Sequence, residues 1–323
     1  MIHTQELTRS FRAGKETVEA VRGVDMDVTQ GELVALLGPN GAGKSTTLRM
    51  LTTLLRPTSG TAMVAGYDVH TEPAEVRRRI GFVGQGHGGA EDQRARDELY
   101  AQGRFYGLDR RTARARGDEL LEMLDLTAAA NREVPTLSGG QQRRLDIAMG
   151  LIHRPALLFL DEPSSGLDPQ SRADLWEHVA RLRSELGATV VLTTHYLEEA
   201  DMVAERVLVI DHGRLIADGT PDELKGRVFG DLVRFTVDET HLAEKAAGVA
   251  GRSAPGTEPE VTGVEVDEVE VALRVEHGDA FLPGLLRALD ESGVRPSSVQ
   301  VQRPTLDDVF LTLTGRSLRE EER

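Results

Sequence analysis

Cysteine is absent from the 323 residues, which excludes a disulfide framework, a thiolate metal site and a cysteine nucleophile. Any hard-metal chemistry must therefore use oxygen ligands, as Mg²⁺ does. Positive charge is scarce: 38 Lys and Arg stand against 53 Asp and Glu, for a formal net charge of -15. That balance argues against nucleic acid as a partner, because affinity for a phosphate backbone needs clustered Lys and Arg. It leaves room for a nucleotide, whose phosphates can be held by backbone N–H groups and one lysine. Long apolar runs are missing too. The longest aliphatic stretches, Leu33–Leu37 and Val207–Ile210, fall far short of the ~20 residues a spanning helix needs. Residues 1–6 show no basic segment followed by an apolar core, so secretion is not expected. If the protein works at a membrane, something other than a spanning helix of its own holds it there.

What is present reads as α/β. Hydrophobic residues at 39% and charged residues at 28% are the balance of a globular protein, and the length predicts one large and one small domain. Short apolar runs alternate with amphipathic stretches. Strands are expected at 18–21 and 24–28 (an antiparallel pair), 33–37, 80–83, 157–160, 189–193, 207–210 and 214–217. Helices are expected at 44–54, between about 93 and 128 with Leu120, Leu121, Leu124 and Leu126 on one face, and at 170–186 and 197–203. A boundary falls near 226–230. Beyond it strands at 232–237, 261–266, 269–275 and 299–301, with helices at 241–249 and 280–289, give the βαββαβ order of a ferredoxin-like domain. Residues 251–259 read as a Gly/Pro-rich loop, and a helix from Pro304 closes the chain.

The strongest local signal runs Gly38, Pro39, Asn40, Gly41, Ala42, Gly43, Lys44, Ser45, with Thr46 next: G-x-x-x-x-G-K-[ST] between a strand and a helix. Its glycines let the backbone wrap phosphates, and a helix N-terminus favours their charge. Lys44 would neutralise the β- and γ-phosphates, and the Ser45 hydroxyl would ligate Mg²⁺. Downstream, Leu157–Leu160 runs directly into Asp161 and Glu162. A carboxylate at the end of a buried strand lies beside a phosphate loop, where Asp161 can hold Mg²⁺ and Glu162 can orient or deprotonate the attacking water. Leu137, Ser138, Gly139, Gly140 and Gln141 open a further helix, with Ser138 a good N-cap and two glycines allowing close approach of an anion.

With that segment lying between the phosphate loop and Asp161, the sequence resembles the ATP-binding cassette (ABC) ATPases, whose signature is Leu-Ser-Gly-Gly-Gln. The resemblance covers roughly residues 1–228. It implies a P-loop fold with a RecA-like core, an antiparallel β subdomain and a helical subdomain at about 90–150, and leaves 229–323 as an accessory or regulatory domain. It also implies that Phe11 stacks on adenine, that Gln85 reaches Mg²⁺, that Ser165 to Asp168 cross a dimer interface, and that His195 contacts the γ-phosphate. Pro304 to Leu311, followed by Leu313 to Arg316, is similar to the C-terminal segment of daunorubicin-resistance-type ABC ATPases. A plainer reading, in which this helix buries Leu306, Val309, Phe310 and Leu313, is compatible with that likeness.

The implied activity is hydrolysis of ATP by a head-to-tail cassette homodimer. It would energise a separate transmembrane permease from the cytoplasmic face of the membrane, for export of a drug or antibiotic. The alternative is a soluble ABC-type ATPase of translation or DNA repair, disfavoured by the single phosphate loop and the acidic charge. One stretch departs from the family pattern: Gly86 to Leu99 is more polar and glycine-rich than expected where the permease is thought to dock. Arg77, Arg78, Arg79 and the arginines from Arg104 to Arg116 read as solvated helix faces, since acidic residues surround them.

Overall fold

The computed structural model describes residues 1–315 except Lys15, Glu91, Phe229 and 253–260. It divides into two compact units, Met1–Pro221 and Asp222 onward. Among the described residues, no helix is long and apolar enough to cross a membrane.

The first unit holds two sheets. Strands β1 (Ile2–Ala13), β2 (Glu16–Val28), β4 (Ser59–Val64) and β5 (Tyr67–Asp68) form an antiparallel sheet in the order β2-β1-β4-β5. The sequence predicts two strands at 18–21 and 24–28 paired with each other. Instead they are halves of β2, and its antiparallel partner is β1. Gly23, at φ 78, lies between the two halves without ending the strand, and the shifts in the β1–β2 register mark bulges that absorb the irregularity.

The second sheet has the order β10-β9-β3-β8-β7-β6, formed by β3 (Leu33–Leu37), β6 (Ile80–Val83), β7 (Leu157–Asp161), β8 (Thr189–Thr194), β9 (Arg206–Asp211) and β10 (Arg214–Gly219). All neighbours are parallel except β9 and β10. Every residue of β3, β7 and β8 is buried, so their apolar residues follow one another rather than alternate, with Asp161 and the threonines of β8 as buried polar exceptions at the strand ends. Parallel strands also bring their carboxyl ends to one edge, where open α/β sheets bind ligands.

The helices are α1 (Lys44–Leu51), α2 (Pro73–Arg79), α3 (Ala95–Phe105), α4 (Arg110–Met123), α5 (Gly139–Leu151), α6 (Pro169–Leu186) and α7 (Leu197–Val203). Their ends follow capping chemistry. Asp109 caps α4, Ser138 caps α5 with a full capping box to Gln141, and Asp168 caps α6 ahead of Pro169. Leu120, Leu121, Leu124 and Leu126 are all buried, as their spacing predicts. Helix α1 is shorter than predicted and stops before Thr52, whose hydroxyl turns back onto the Leu48 carbonyl.

The second unit runs α8 (Pro221–Lys225, straddling the division), β11 (Asp231–Thr236), α9 (Thr240–Arg252), β12 (Val261–Asp267), β13 (Glu270–Val275), α10 (Gly278–Glu291), β14 (Ser298–Gln302) and α11 (Leu306–Thr314). Its four strands pair antiparallel in the order β12-β13-β11-β14. Val233, Phe235, Val271, Leu273 and Val275 alternate into a core completed by Phe281, Leu285 and Leu289 of α10. Gly251 and Arg252, predicted as loop, are the last residues of α9; the rest of that loop and Arg316 lie outside the described residues. In α11, Leu306, Val309 and Phe310 are buried, but Leu313 is 44% exposed and does not share their face.

Candidate active site

The phosphate loop turns between β3 and α1 on glycines that no other residue could replace. Gly43 holds φ 106, and a Cβ there would lie 2.5 Å from the Ala20 carbonyl oxygen of β2. At Gly38 a Cβ would lie 2.1 Å from the carbonyl of Ile210 in β9. The Gly213 amide donates to the Ala42 carbonyl at 2.9 Å, and a Cβ at Gly213 would also meet Ala20. The loop is thus wedged between the β1–β2 hairpin and the β9–β10 turn.

Lys44 is buried and donates to the carbonyls of Gly38 at 2.7 Å and Pro39 at 3.0 Å, with Glu162 Oε1 3.7 Å away. Burial pulls its pKa below the ordinary value, while Glu162 and Asp161 oppose that pull. The Ser45 hydroxyl donates to Asp161 Oδ1 at 2.7 Å, and Gln85 Nε2 approaches Ser45 Oγ at 3.4 Å. His195 Nδ1 lies 3.6 Å from Glu162 Oε1. The proximity of His195, and then the charge of Lys44, hold the Glu162 carboxyl below the ordinary range against the opposing effect of burial. Glu162 itself adopts φ 46, a left-handed backbone at the strand end. Lys44, Ser45, Gln85, Asp161, Glu162 and His195 therefore meet at one sheet edge.

Two residues there escape the sequence reading. Thr193, on β8 between β3 and β7, donates to Asp161 Oδ1 at 2.8 Å and accepts from the Glu162 amide at 2.9 Å. A buried threonine one residue short of a strand end carries no motif, and only the strand order brings it here. Arg143 of α5 is buried and sends its guanidinium to backbone carbonyls beside the site.

The donor set suits a Mg²⁺ bound with nucleotide. Asp161 Oδ2 is buried with no hydrogen-bond partner, while its Oδ1 is taken by Ser45 and Thr193. Among the described residues no cluster of three His, Asp or Glu could hold a metal alone. That pattern matches an ion held by one carboxylate, a hydroxyl, water and phosphate oxygens.

Other sequence-predicted residues stand apart. Ser138 and Gln141 hydrogen-bond to each other, and Asp168 accepts from the Ser171 amide and hydroxyl, so these polar groups cap their own helices. Their two helix starts adjoin: a Cβ on Gly140 would lie 2.8 Å from Ser171 Oγ. Phe11 is 39% exposed on β1, its ring beneath the Arg9 guanidinium at 4.7 Å. The polar stretch after Gln85 is tied down. Asp146 of α5 accepts from the Gly88 amide at 3.0 Å and from His87 Nδ1 at 2.9 Å, and the Ala90 amide donates to Glu98 at 2.8 Å. Arg78 and Arg79 both pair with Glu75, as a solvated face would, but Arg116 of the second group is buried, donating to the Leu151 carbonyl and pairing with Glu119.

A phosphate loop, a strand-end Asp-Glu pair and a capped Ser-Gly-Gly-Gln helix on one sheet define a P-loop ATPase of the cassette class. Residues 21–165 match the ABC transporter family, and residues 219–314 match the C-terminal domain of DrrA1-3-like ATP-binding proteins. The chain is 48% identical to daunorubicin resistance ATP-binding protein DrrA2 of Streptomyces coeruleorubidus, over 92% of this chain and 90% of that one. It is 42% identical to doxorubicin resistance ATP-binding protein DrrA of Mycobacterium tuberculosis (93% and 90%) and 38% identical to linearmycin resistance ATP-binding protein LnrL of Bacillus subtilis (99% and 100%). The fold matches the cassette MJ0796, solved as a dimer in a post-hydrolysis state with ADP and Pi, at TM-score 0.63 and 29% identity over 68% of this chain and 98% of that one. The chain belongs to the DrrA-type ATP-binding proteins of the ABC transporter family, and is an ATP-hydrolysing transporter subunit.

Proposed function

We propose that this subunit powers export of an antibiotic-like small molecule through a separate transmembrane permease, acting as a cassette homodimer with Mg-ATP at the cytoplasmic face of the membrane. The relatives' names, resistance to daunorubicin, doxorubicin and linearmycin, support the substrate class. The absence of a spanning helix among the described residues is consistent with a partner that crosses the bilayer.

The observation that carries the reading is the convergence of Lys44, Ser45, Gln85, Asp161, Glu162 and His195 at one sheet edge. In this reading the backbone from Gly38 to Thr46 cradles the phosphates and Lys44 neutralises them. Ser45, Asp161 and Gln85 hold Mg²⁺, which when bound withdraws charge from the phosphoryl oxygens. Glu162, kept ionised by His195 and Lys44, accepts a proton from the attacking water, and His195 senses the γ-phosphate. Ser138 to Gln141 and Asp168 complete the site of a partner subunit, where a second helix N-terminus favours the same anion while ATP is intact. Phe11 serves as the base platform. Residues 1–228 act as the cassette. Residues 229–323 form an accessory domain of ferredoxin-like topology, a reading supported by the strand order of its sheet.

The test is a pull-down of tagged Glu162→Gln from detergent-solubilised native membranes with Mg-ATP. Stoichiometric recovery of a polytopic membrane protein is expected. Recovery of ribosomal or nucleic-acid partners from the soluble fraction, with nothing polytopic, would overturn the transport reading in favour of a translation or repair ATPase.

A further inference from the structure

Arg143 lies outside the motifs that the sequence singles out, yet its side chain is buried and held on several sides. Its guanidinium is buried and reaches three main-chain carbonyls: Nε donates to Pro163 at 2.7 Å, Nη1 to Gly84 at 2.6 Å and Nη2 to Asp161 at 3.2 Å. These carbonyls are not scattered. Gly84 is the residue before Gln85, and Asp161 and Pro163 are the residues on either side of Glu162. The planar fork therefore fixes the backbone next to both side chains at once, which a lysine's point charge could not do in the same geometry.

Charge and burial agree with a fixed role. Burial draws the Arg143 pKa below its ordinary value, and Asp146, 3.9 Å away, opposes this. Asp146 in turn accepts from the Gly88 amide and from His87. Helix α5 thus grips the Gln85 loop on both sides, at Gly84 through Arg143 and at His87–Gly88 through Asp146. The same helix begins at the Ser138–Gln141 capping box, two residues before Arg143.

We propose that Arg143 is the positioning residue of the hydrolytic site: from helix α5 it holds the main chain around Glu162 and before Gln85, so that the water-activating carboxylate and the Mg²⁺-side glutamine are set by one guanidinium. This rests on the roles given above to Glu162 and Gln85. Left-handed backbone at Glu162, φ 46, needs such a restraint, because nothing in its own conformational preference holds it there. Asp146 and His87 steady the far side of the loop, which gives the unusual polar stretch after Gln85 a place in the catalytic unit.

The experiment compares Arg143→Met, Arg143→Lys, Glu162→Gln and the double variant Arg143→Met/Glu162→Gln in the full chain. It reads Mg-ATP turnover, nucleotide affinity and melting temperature. A displacement of the reacting group of the order of 1 Å costs about 10²-fold in rate. Arg143→Met is therefore expected to lose about 10²-fold in kcat with nucleotide affinity within about threefold of wild type. Arg143→Lys should recover part of the loss. In the Glu162→Gln background Arg143→Met should cost clearly less, since the share of its effect that runs through Glu162 is already gone and only that through Gln85 remains. A kcat near wild type in folded Arg143→Met, or an undiminished loss in the Glu162→Gln background, overturns the proposal. If Arg143→Met does not fold, Arg143→Lys decides the question by the same split between kcat and affinity. Turnover retained by Glu162→Gln alone would instead remove the assignment of Glu162 as base.

Discussion

Thr193 donates its hydroxyl to Asp161 Oδ1 at 2.8 Å, across two adjacent parallel strands. Thr193 Oγ1 in turn accepts from the Glu162 amide at 2.9 Å, so one small side chain sets the direction of the carboxylate and the start of the turn after it. Thr193→Val keeps the shape but leaves the half-buried Glu162 N–H without its acceptor and the buried Asp161 Oδ1 without one of its donors. We expect a loss of about 1–3 kcal/mol in unfolding free energy and a fall in kcat exceeding the change in nucleotide affinity. Denaturant melts and steady-state kinetics on the same preparation check this, and wild-type stability would contradict it.

Asp161→Asn should act mainly on the metal. Its Oδ2 has no hydrogen-bond partner, so the substitution breaks little of the resting network on that side but removes the charge proposed to face Mg²⁺. A Mg²⁺ titration of ATPase activity should shift to higher concentration. An unchanged titration would rule out the metal role.

Replacing Lys44 by alanine is expected to abolish tight nucleotide binding, measured by equilibrium titration with a fluorescent ATP analogue. Glu162→Gln should retain binding and lose turnover by ~10²–10⁴-fold, the usual size of a general-base contribution. The pair separates holding the phosphates from activating water.

The pH dependence of stability follows from the lowered Glu162 pKa. A carboxylate depressed on folding stabilises the native state fully above its ordinary value of 4.5 and loses that contribution as pH falls through the lower native value. The difference in unfolding free energy between wild type and Glu162→Gln should therefore be flat above that value and shrink below it. A difference that grows on acidification would reverse the sign of the argument.

In the second unit, Asp308 accepts from the Thr305 amide at 2.9 Å and from the Thr305 hydroxyl at 2.7 Å, and pairs with Arg274 at 3.2 Å. These contacts outweigh burial and lower its pKa. Asp308→Asn should destabilise the unit by about 1 kcal/mol, the scale of a lost helix cap. Hydrogen exchange of α11 and β13 amides is the measurement; unaltered protection would show that the capping box is incidental.

Much of this site could be read from the chain because its parts are contiguous. The phosphate loop, the Asp161–Glu162 pair and the Ser138 cap are each short segments whose chemistry depends on neighbours in sequence. Arg143 and Thr193 depend instead on which strands and helices lie side by side. Their partners are the Gly84, Asp161 and Pro163 carbonyls, the Glu162 amide and the Asp161 carboxylate. Strand β1 carries no strand signal in the sequence for a related reason. Its inward residues Ile2, Thr4 and Leu7 break strict alternation at a bulge, where Glu6 takes φ 46, so the period of two is lost over the first turn of pairing.

The wedge of Gly43 against the Ala20 carbonyl has a consequence for which nucleotide is accepted. Phe11 faces Val18 across the β1–β2 hairpin, and Ala20 follows two residues later. The proposed base platform and the phosphate loop are thus joined by a short, stiff stretch of paired strand. With Phe11 as that platform, the paired strand would fix the distance between a stacked ring and the phosphate loop. A phenyl ring offers a face to stack on and no donor or acceptor with which to tell one purine from another. Adenosine and guanosine triphosphates, equal in length, should be held with similar affinity, whereas a diphosphate keeps the same span from ring to β-phosphate and would lose only the contacts to the γ-phosphate.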